Sequence, residues 1–170
     1  MKNFHSALWI LLLLSGTAFA CSEPDVPTFR QSFANADNVV VFRLVSLGLT
    51  DNKEDSRNLG GKLEPILTLK GSNEFRYLVH DAVDCGGLNL KVGHYYLVAT
   101  SQTGSVLQLV RGDKSILDVS ADFGRTYFPR PSARYLWHFE QALKGHPIRD
   151  GLIRELSWRI YAFPPMPDEG

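Results

Sequence analysis

Apolar and polar positions divide the chain into an apolar opening, a β-patterned middle and a helical end. Residues 7–14, ALWILLLL, are continuously apolar and follow the lone formal charge of Lys2. A bilayer needs about 20 apolar residues, so this run is too short to span one. It is followed by Ala18-Phe19-Ala20, a small-x-small cleavage pattern. Charge, run and cleavage site in that order predict a secretory signal peptide over residues 1–20. No later segment reads as a membrane span. The mature chain, beginning at Cys21, is therefore expected to be soluble or anchored only at its start.

The next segment, CSEPDVP, reads as an extended strap, because Pro24 and Pro27 oppose helix. Thr28 offers an N-cap with Gln31 at capping-box spacing, and Phe29, Phe33 and Ala36 share one face of the short helix that follows. Asn38 to Leu49, NVVVFRLVSLGL, is β-branched and almost continuously apolar. It predicts a long strand buried on both sides in its first half. Residues 50–61 are polar and end in Gly60-Gly61, the pattern of a loop or hairpin tip. A second strand is expected from about Lys62 to Leu69, with an edge or bulge at Pro65. Lys70-Gly71-Ser72-Asn73 reads as a turn. Strands follow at 75–80, 94–100 and 106–110, with a loop holding Cys85 between the first two of these. Five short, regularly spaced strands joined by turn residues point to a small barrel or sandwich.

The period then changes. ARYLWHFEQALK is opened by Pro131 and Ser132 and closed by Gly145, the Pro-first, Gly-last asymmetry of a helix. Tyr135, Leu136, Phe139, Ala142 and Leu143 form its apolar stripe. Gly151 to Phe163 carries a second helical period through Leu152, Leu156, Ile160 and Phe163. Tyr95, Tyr96, Trp137 and Trp158 lie in apolar periodic segments and are expected in the core. The tail, PPMPDEG, is expected to be disordered.

Composition narrows the function. The chain has 18 basic and 18 acidic residues; without Lys2 the balance is 17 against 18, a net charge of −1. There is no basic face of the kind that displaces counterions from nucleic acid and no acidic tail. About 150 residues after cleavage suffice for one domain with a real core. The two cysteines are Cys21 and Cys85. An even count in an oxidising compartment favours a bridge, and this one would close a loop of about 65 residues, stabilising on the order of 4 kcal/mol in the chain-entropy model. The rival is acylation of Cys21, since Thr17 to Cys21 satisfies a permissive lipobox without its usual leucine. Both readings stay open.

A Cys at the mature N-terminus, then SFANADNVVVFRLVS, LTLKG at 67–71 and CGGLNLKVGHYYLVA at 85–99, together resemble the netrin-like domain. Within it, they resemble the tissue inhibitors of metalloproteinases and their bacterial relatives. The resemblance covers roughly residues 21–110. It implies an OB-like five-stranded barrel, placed over residues 21–128; with the helical periods that follow, the fold is expected to be mainly β with C-terminal helices, residues 129–170 forming a helical extension. It also implies that Cys21 and Cys85 occupy the positions of the bridge that ties the N-terminal strap to the barrel. In the inhibitors, the first residue's α-amino group and carbonyl oxygen ligate the target protease's catalytic zinc, which keeps an open position. Cys21 would then chelate and Ser22 would enter the pocket beside the metal. The chain departs from the inhibitors at Glu23 and Ala34, where they carry further cysteines.

The remaining chemistry is sparse. His80, Asp81, Asp84 and His94 would make a metal site only if three or four ligands converged; turn aspartates and strand-end histidines account for them, and no metal or other cofactor is expected. HFEQALKGH at 138–146 is not H-E-x-x-H, and neither a G-x-S-x-G elbow nor a P-loop is present. Arg111-Gly112-Asp113 spells an adhesion tripeptide, but reads as a turn. The expectation is an exported, non-enzymatic module, secreted or periplasmic, that binds an extracytoplasmic protein through Cys21 and Ser22; the resemblance implies a metalloprotease as that partner. The alternative is a non-inhibitory interaction domain, lipid-anchored at Cys21.

Overall fold

The computed structural model describes residues 26–50, 58–81, 87–110, 114–124 and 134–160, with Asn58 and Asp81 described in backbone only. The expected signal peptide, Cys21, Ser22, Asp84, Cys85, the 111–113 tripeptide, Phe163 and the 164–170 tail lie outside these residues.

Helix α1, Phe29–Asn35, begins as its sequence dictates. The Thr28 hydroxyl accepts the Gln31 N–H, and the Gln31 side chain accepts the Thr28 N–H at 2.8 Å, a reciprocal capping box. Six strands follow: β1 Asn38–Thr50, β2 Asn58–Lys70, β3 Tyr77–Asp81, β4 Tyr95–Thr100, β5 Val106–Leu109 and β6 Ile116–Asp118. Helices α2, Tyr135–Leu143, and α3, Asp150–Ser157, close the described chain. The molecule is thus mainly β with helices at its C-terminal end.

The strands form a single curled sheet in the order β5-β3-β2-β1-β4-β6. All neighbours are antiparallel except β3 and β5, which run parallel from Tyr77↔Val106 to His80↔Leu109. The sheet holds six strands where the sequence suggested five: Ile116-Leu117-Asp118 is too short to give a period, yet all three residues are buried. The β1–β2 hairpin also reaches further than the polar stretch at 50–61 suggested, pairing Leu49 with Leu59 and Thr50 with Asn58. Gly60 and Gly61 are ladder positions. A Cβ at Gly61 would lie 2.8 Å from the Ser46 carbonyl oxygen, so close strand approach and not a turn explains the glycine. The bulge expected at Pro65 is present. Val41 faces Leu67 and Phe42 faces Pro65, leaving Ile66 between them.

Period-two alternation builds two apolar layers from the same strands. Val40, Phe42 and Leu44 of β1, with Tyr96 and Val98 of β4, face the inside of the curl, where Leu78, Leu107 and Leu109 join them. Val39, Val41, Leu97 and Ala99 face outward onto Phe29 and Phe33 of α1, Phe139 of α2, and Leu152 and Leu156 of α3. The first half of β1 is therefore buried on both faces, as its unbroken apolar run required.

The second C-terminal helix is shorter than its periodicity suggested. It ends at Ser157 and turns over Trp158 to Ile160. Ile160 consequently leaves the stripe of Leu152 and Leu156 and packs with the inner layer, where its carbonyl accepts the Asn89 N–H at 2.6 Å. Trp137 and Trp158 are 49% and 60% exposed, so the core position expected for them is incorrect; Tyr96 alone of the four aromatics is fully buried, and Tyr95 is half-buried, stacked on Phe123. No helix among the described residues is long and apolar enough to cross a membrane.

Candidate functional site

The strongest candidate lies at the corner of the sheet where the N-terminal segment enters. Val26 and Pro27 precede the α1 cap and line a groove of about 230 Å³ with Gln31, Thr100, Gln102 and Val110. Thr100 ends β4 opposite Asn38, the first residue of β1. Val110 follows Leu109, the residue of β5 that pairs with His80. The corner thus gathers the start of the described chain, the end of β4 and the end of β5.

Polar side chains fasten this corner. The Asn38 carboxamide accepts the Ser72 N–H at 2.8 Å and donates to the Gln102 carbonyl at 2.9 Å. Gln102 then reaches Gln108 of β5, donating to its carbonyl at 2.7 Å and accepting its N–H at 2.9 Å. A side-chain amide has the same donor–acceptor pair as a backbone peptide, so Gln102 stands in for a strand between the ends of β4 and β5. Gly71, in the LTLKG stretch, has φ +71°, and a Cβ there would sit 2.2 Å from Asn38 Oδ1. The turn expected at Lys70-Gly71 is present, and only glycine fits it.

The two histidines belong to separate networks. His80 is fully buried in β3. The Leu88 N–H donates to its Nε2 at 3.1 Å, which fixes the proton on Nδ1, and Nδ1 lies 3.2 Å from the Leu109 carbonyl. Both ring nitrogens are used by the backbone. His94 lies 2.8 Å through Nδ1 from Asp118 Oδ2, while Asp118 Oδ1 accepts the Ser120 N–H at 2.9 Å. Ser120 turns its hydroxyl to Tyr95, accepting that residue's N–H, so the Ser, His and Asp do not form a relay. Among the described residues no group of three or more His, Cys, Asp or Glu side chains is arranged to hold a metal.

Burial shifts Tyr96, Asp122 and Tyr135. Tyr96 is pushed well up, because its ring lies in the inner layer; the Lys91 N–H donated to its oxygen opposes this, and nearby Asp118 adds to it. Asp122 is raised by burial, although it accepts the Tyr135 and Leu136 N–H groups at 3.0 and 2.7 Å. Those two donors open α2, whose own N-cap, Arg134, supplies no side-chain bond. Tyr135 is raised by burial and by its hydrogen bond to Glu155 at 2.6 Å, with Arg159 pulling the other way.

A second, larger groove of about 580 Å³ lies between α1 and the segment joining α2 to α3, with Phe33, Leu69 and Ile148 among its apolar walls. Its cations are occupied: Arg30 binds Asp150 and the Ile148 carbonyl, and Lys70 donates to the Ala36 carbonyl at 2.5 Å. Ala34 lines this groove.

Of the residues singled out in the sequence, Cys21, Ser22 and Cys85 lie outside the described chain; their flanking residues, Val26 and Asp81, are described. The polar corner built by Asn38, Gln102 and Gln108 was not foreseen. Its one sequence signal is Asn38 at the mouth of an apolar strand. No family model matches this chain, and no curated protein matches it.

Proposed function

We propose that the chain is an exported protein-binding module of the netrin-like type, an OB-like five-stranded barrel with β6 added at one edge. Its working tip is the N-terminal segment at Cys21 and Ser22. The observation that carries this reading is the convergence of the segments bordering the two cysteines. Val26 and Val110 share a groove, and the Leu109–His80 pair lies one residue from Val110 on one strand and one from Asp81 on the other. Asp81 leads into the connection that contains Cys85. An extended chain covers at most about 3.3–3.6 Å per residue, so the five residues from Val26 to Cys21 and the four from Asp81 to Cys85 are long enough to let the two cysteines meet at this corner. Two further features support the barrel: the order β5-β3-β2-β1-β4 with β3 and β5 parallel, and the Gln102 clasp between β4 and β5.

On this reading a Cys21–Cys85 bridge holds the first residue at the tip of the corner. Its α-amine and carbonyl oxygen then fill the open position of a partner's catalytic zinc, with Ser22 entering beside it. A neutral amine suits zinc, and coordination itself drives off the proton. A tip fixed before docking loses little conformational entropy.

A second reading is a non-inhibitory interaction domain of the extracytoplasmic space, acylated at Cys21. It is favoured by Ala34, which stands where the inhibitors carry a cysteine and is exposed on the larger groove, leaving a single covalent tie at most. Mass spectrometry of the exported protein separates the two: a free N-terminal Cys21 bridged to Cys85 is expected, and an acylated Cys21 overturns chelation. In a direct assay, one extra residue ahead of Cys21 abolishes inhibition of a susceptible metalloprotease; unchanged potency removes the zinc model.

A further inference from the structure

We infer that the outward face of the α2–α3 pair is a docking surface for an anionic phospholipid bilayer. Both helices lay their core side on the same outer face of the sheet, through Phe139 and through Leu152 and Leu156. They also touch each other: the Tyr135 hydroxyl binds Glu155, Arg159 binds both, and Arg149 lies 3.3 Å from His138 Nε2. A helix turns about 100° per residue, so residues two positions from a core residue point away from the sheet. Trp137 stands two before Phe139, and Trp158 two after Leu156. That is why both tryptophans are exposed despite lying in apolar segments.

The same outward face carries Arg134 and Lys144 of the α2 ends and Arg154 of α3, all exposed. None of the three has an acidic partner among the described residues. Two acids of this region are engaged elsewhere: Asp150 pairs with Arg30, and Glu155 with Arg159 and Tyr135. Glu140, three residues from Trp137 and four from Lys144, shares the face, where the three cations outnumber its one carboxylate. The surface is therefore cationic although the whole chain has no net charge.

The combination selects a lipid surface. Indole rings settle at the headgroup level, where one edge is apolar and the other wet. Cations beside them are drawn to anionic headgroups. Neither groove described above contains Trp137 or Trp158. Two separated rings among charges suit a layer that moulds around them better than a rigid protein partner, which would require a continuous apolar core. This surface shares no residue with the Cys21 corner, so the two proposals stand or fall separately.

The test uses the full chain with Trp9→Phe, so that tryptophan emission reports on Trp137 and Trp158 alone. Vesicles are equimolar phosphatidylcholine and brominated phosphatidylglycerol, against brominated phosphatidylcholine alone. The apolar run at 7–14 can hold any variant on either vesicle, so the decisive signal is quenching that depends on lipid charge. Expected are quenching and a blue shift on the anionic vesicles only, lost at high salt. Neutralising Arg134, Lys144 and Arg154 together to Gln should weaken the charge-dependent affinity about a hundredfold, at about fivefold per cation. Lys62→Gln, on β2, should leave it unchanged. Equal quenching on both vesicles, no quenching on either, or undiminished affinity in the triple variant would overturn the inference. So would a dimer in ultracentrifugation that dissociates on Trp137→Ala/Trp158→Ala while vesicle quenching is absent, because the face would then be covered by a second copy.

Discussion

The side chain of Gln102 pairs edge to edge with the backbone of Gln108, giving one N–H and accepting another at 2.7 and 2.9 Å. The backbone carbonyl of Gln102 is held in turn by Asn38. These contacts couple the ends of β1, β4 and β5, strands that have no direct ladder between β4 and β5 among the described residues. Gln102→Ala removes two neutral hydrogen bonds that compete with water, so a loss of about 1–2 kcal/mol in chemical denaturation is expected. Gln102→Glu should cost at least as much near neutral pH, because a carboxylate cannot donate to the Gln108 carbonyl. A cost below that of Gln102→Ala would mean that the clasp does not hold the edge.

The sequence made some of these relationships legible and hid others, for physical reasons. Local signals were readable. Thr28 and Gln31 are three residues apart and satisfy each other, and the apolar run of β1 met burial on two faces. The bulge at Pro65 followed from a missing N–H. Long-range partners were not readable. Gln102 resembles any turn glutamine until its register opposite Gln108 is known. Strand β6 has three residues, and its burial depends on β4 lying beside it. Trp137 and Trp158 sit in apolar stretches, but the helix phase set by Phe139 and Leu156 turns them outward. Ile160 continues the helical stripe in sequence because the stop after Ser157 carries no proline or glycine signal. The cysteine pairing rests on sequence and resemblance alone, since both residues lie outside the described chain.

Gly71 should resist substitution more than any glycine of a loose loop. At φ +71° an alanine is strained, and its Cβ would meet Asn38 Oδ1 at 2.2 Å and the Asp37 carbonyl oxygen at 2.3 Å. Backbone strain alone is worth about 1–3 kcal/mol; with the clash, Gly71→Ala should lose about 3 kcal/mol or more. Removing the obstructing amide in Asn38→Ala leaves Ser72 N–H and the Gln102 carbonyl without their partner. The two substitutions share that contact, so their costs should add up to more than the loss in the double variant. Strict additivity in a thermal or urea double-mutant cycle would show that the glycine and the amide act independently.

Asp122 makes the stability of the helical end depend on pH. Burial holds its carboxyl above the usual carboxylate range in the folded chain, outweighing the Leu136 and Tyr135 N–H donors and the attraction of His138 and Arg159. The folded chain therefore takes up this proton before the unfolded chain does. A raised pKa contributes stability that is fully present below the unfolded value, about 3.9, and is lost as pH rises through the folded value. Asp122→Asn removes the titration. The stability of the natural chain relative to Asp122→Asn should be greatest near that lower limit and should decline as the solution is brought towards neutrality. Urea midpoints at a series of pH values read this directly, and a difference that grows with rising pH would contradict the direction of the shift.

The N-terminal and C-terminal helices meet at one ring. Phe139 of α2 lies edge-on to Phe29 at 5.7 Å and tilted against Phe33 at 5.8 Å, and all three pack over Val39, Val41 and Leu97. Phe139 is fully buried, so Phe139→Ala opens a cavity between two helices and a sheet that cannot collapse independently; about 3–5 kcal/mol is expected. Phe139→Leu keeps most of the volume and should cost clearly less. A domain of this size has about 5–15 kcal/mol in total, so the alanine variant should be marginal at physiological temperature. Because α1 runs directly into β1, the loss cannot stay in the helical end. Far-ultraviolet circular dichroism, which reads the whole backbone, and a thiol probe on an Ala36→Cys variant, which reads the buried end of α1, should report the same lowered midpoint. Two separate transitions would mean that the helical end folds as its own unit and that the ring triad does not join it to the sheet.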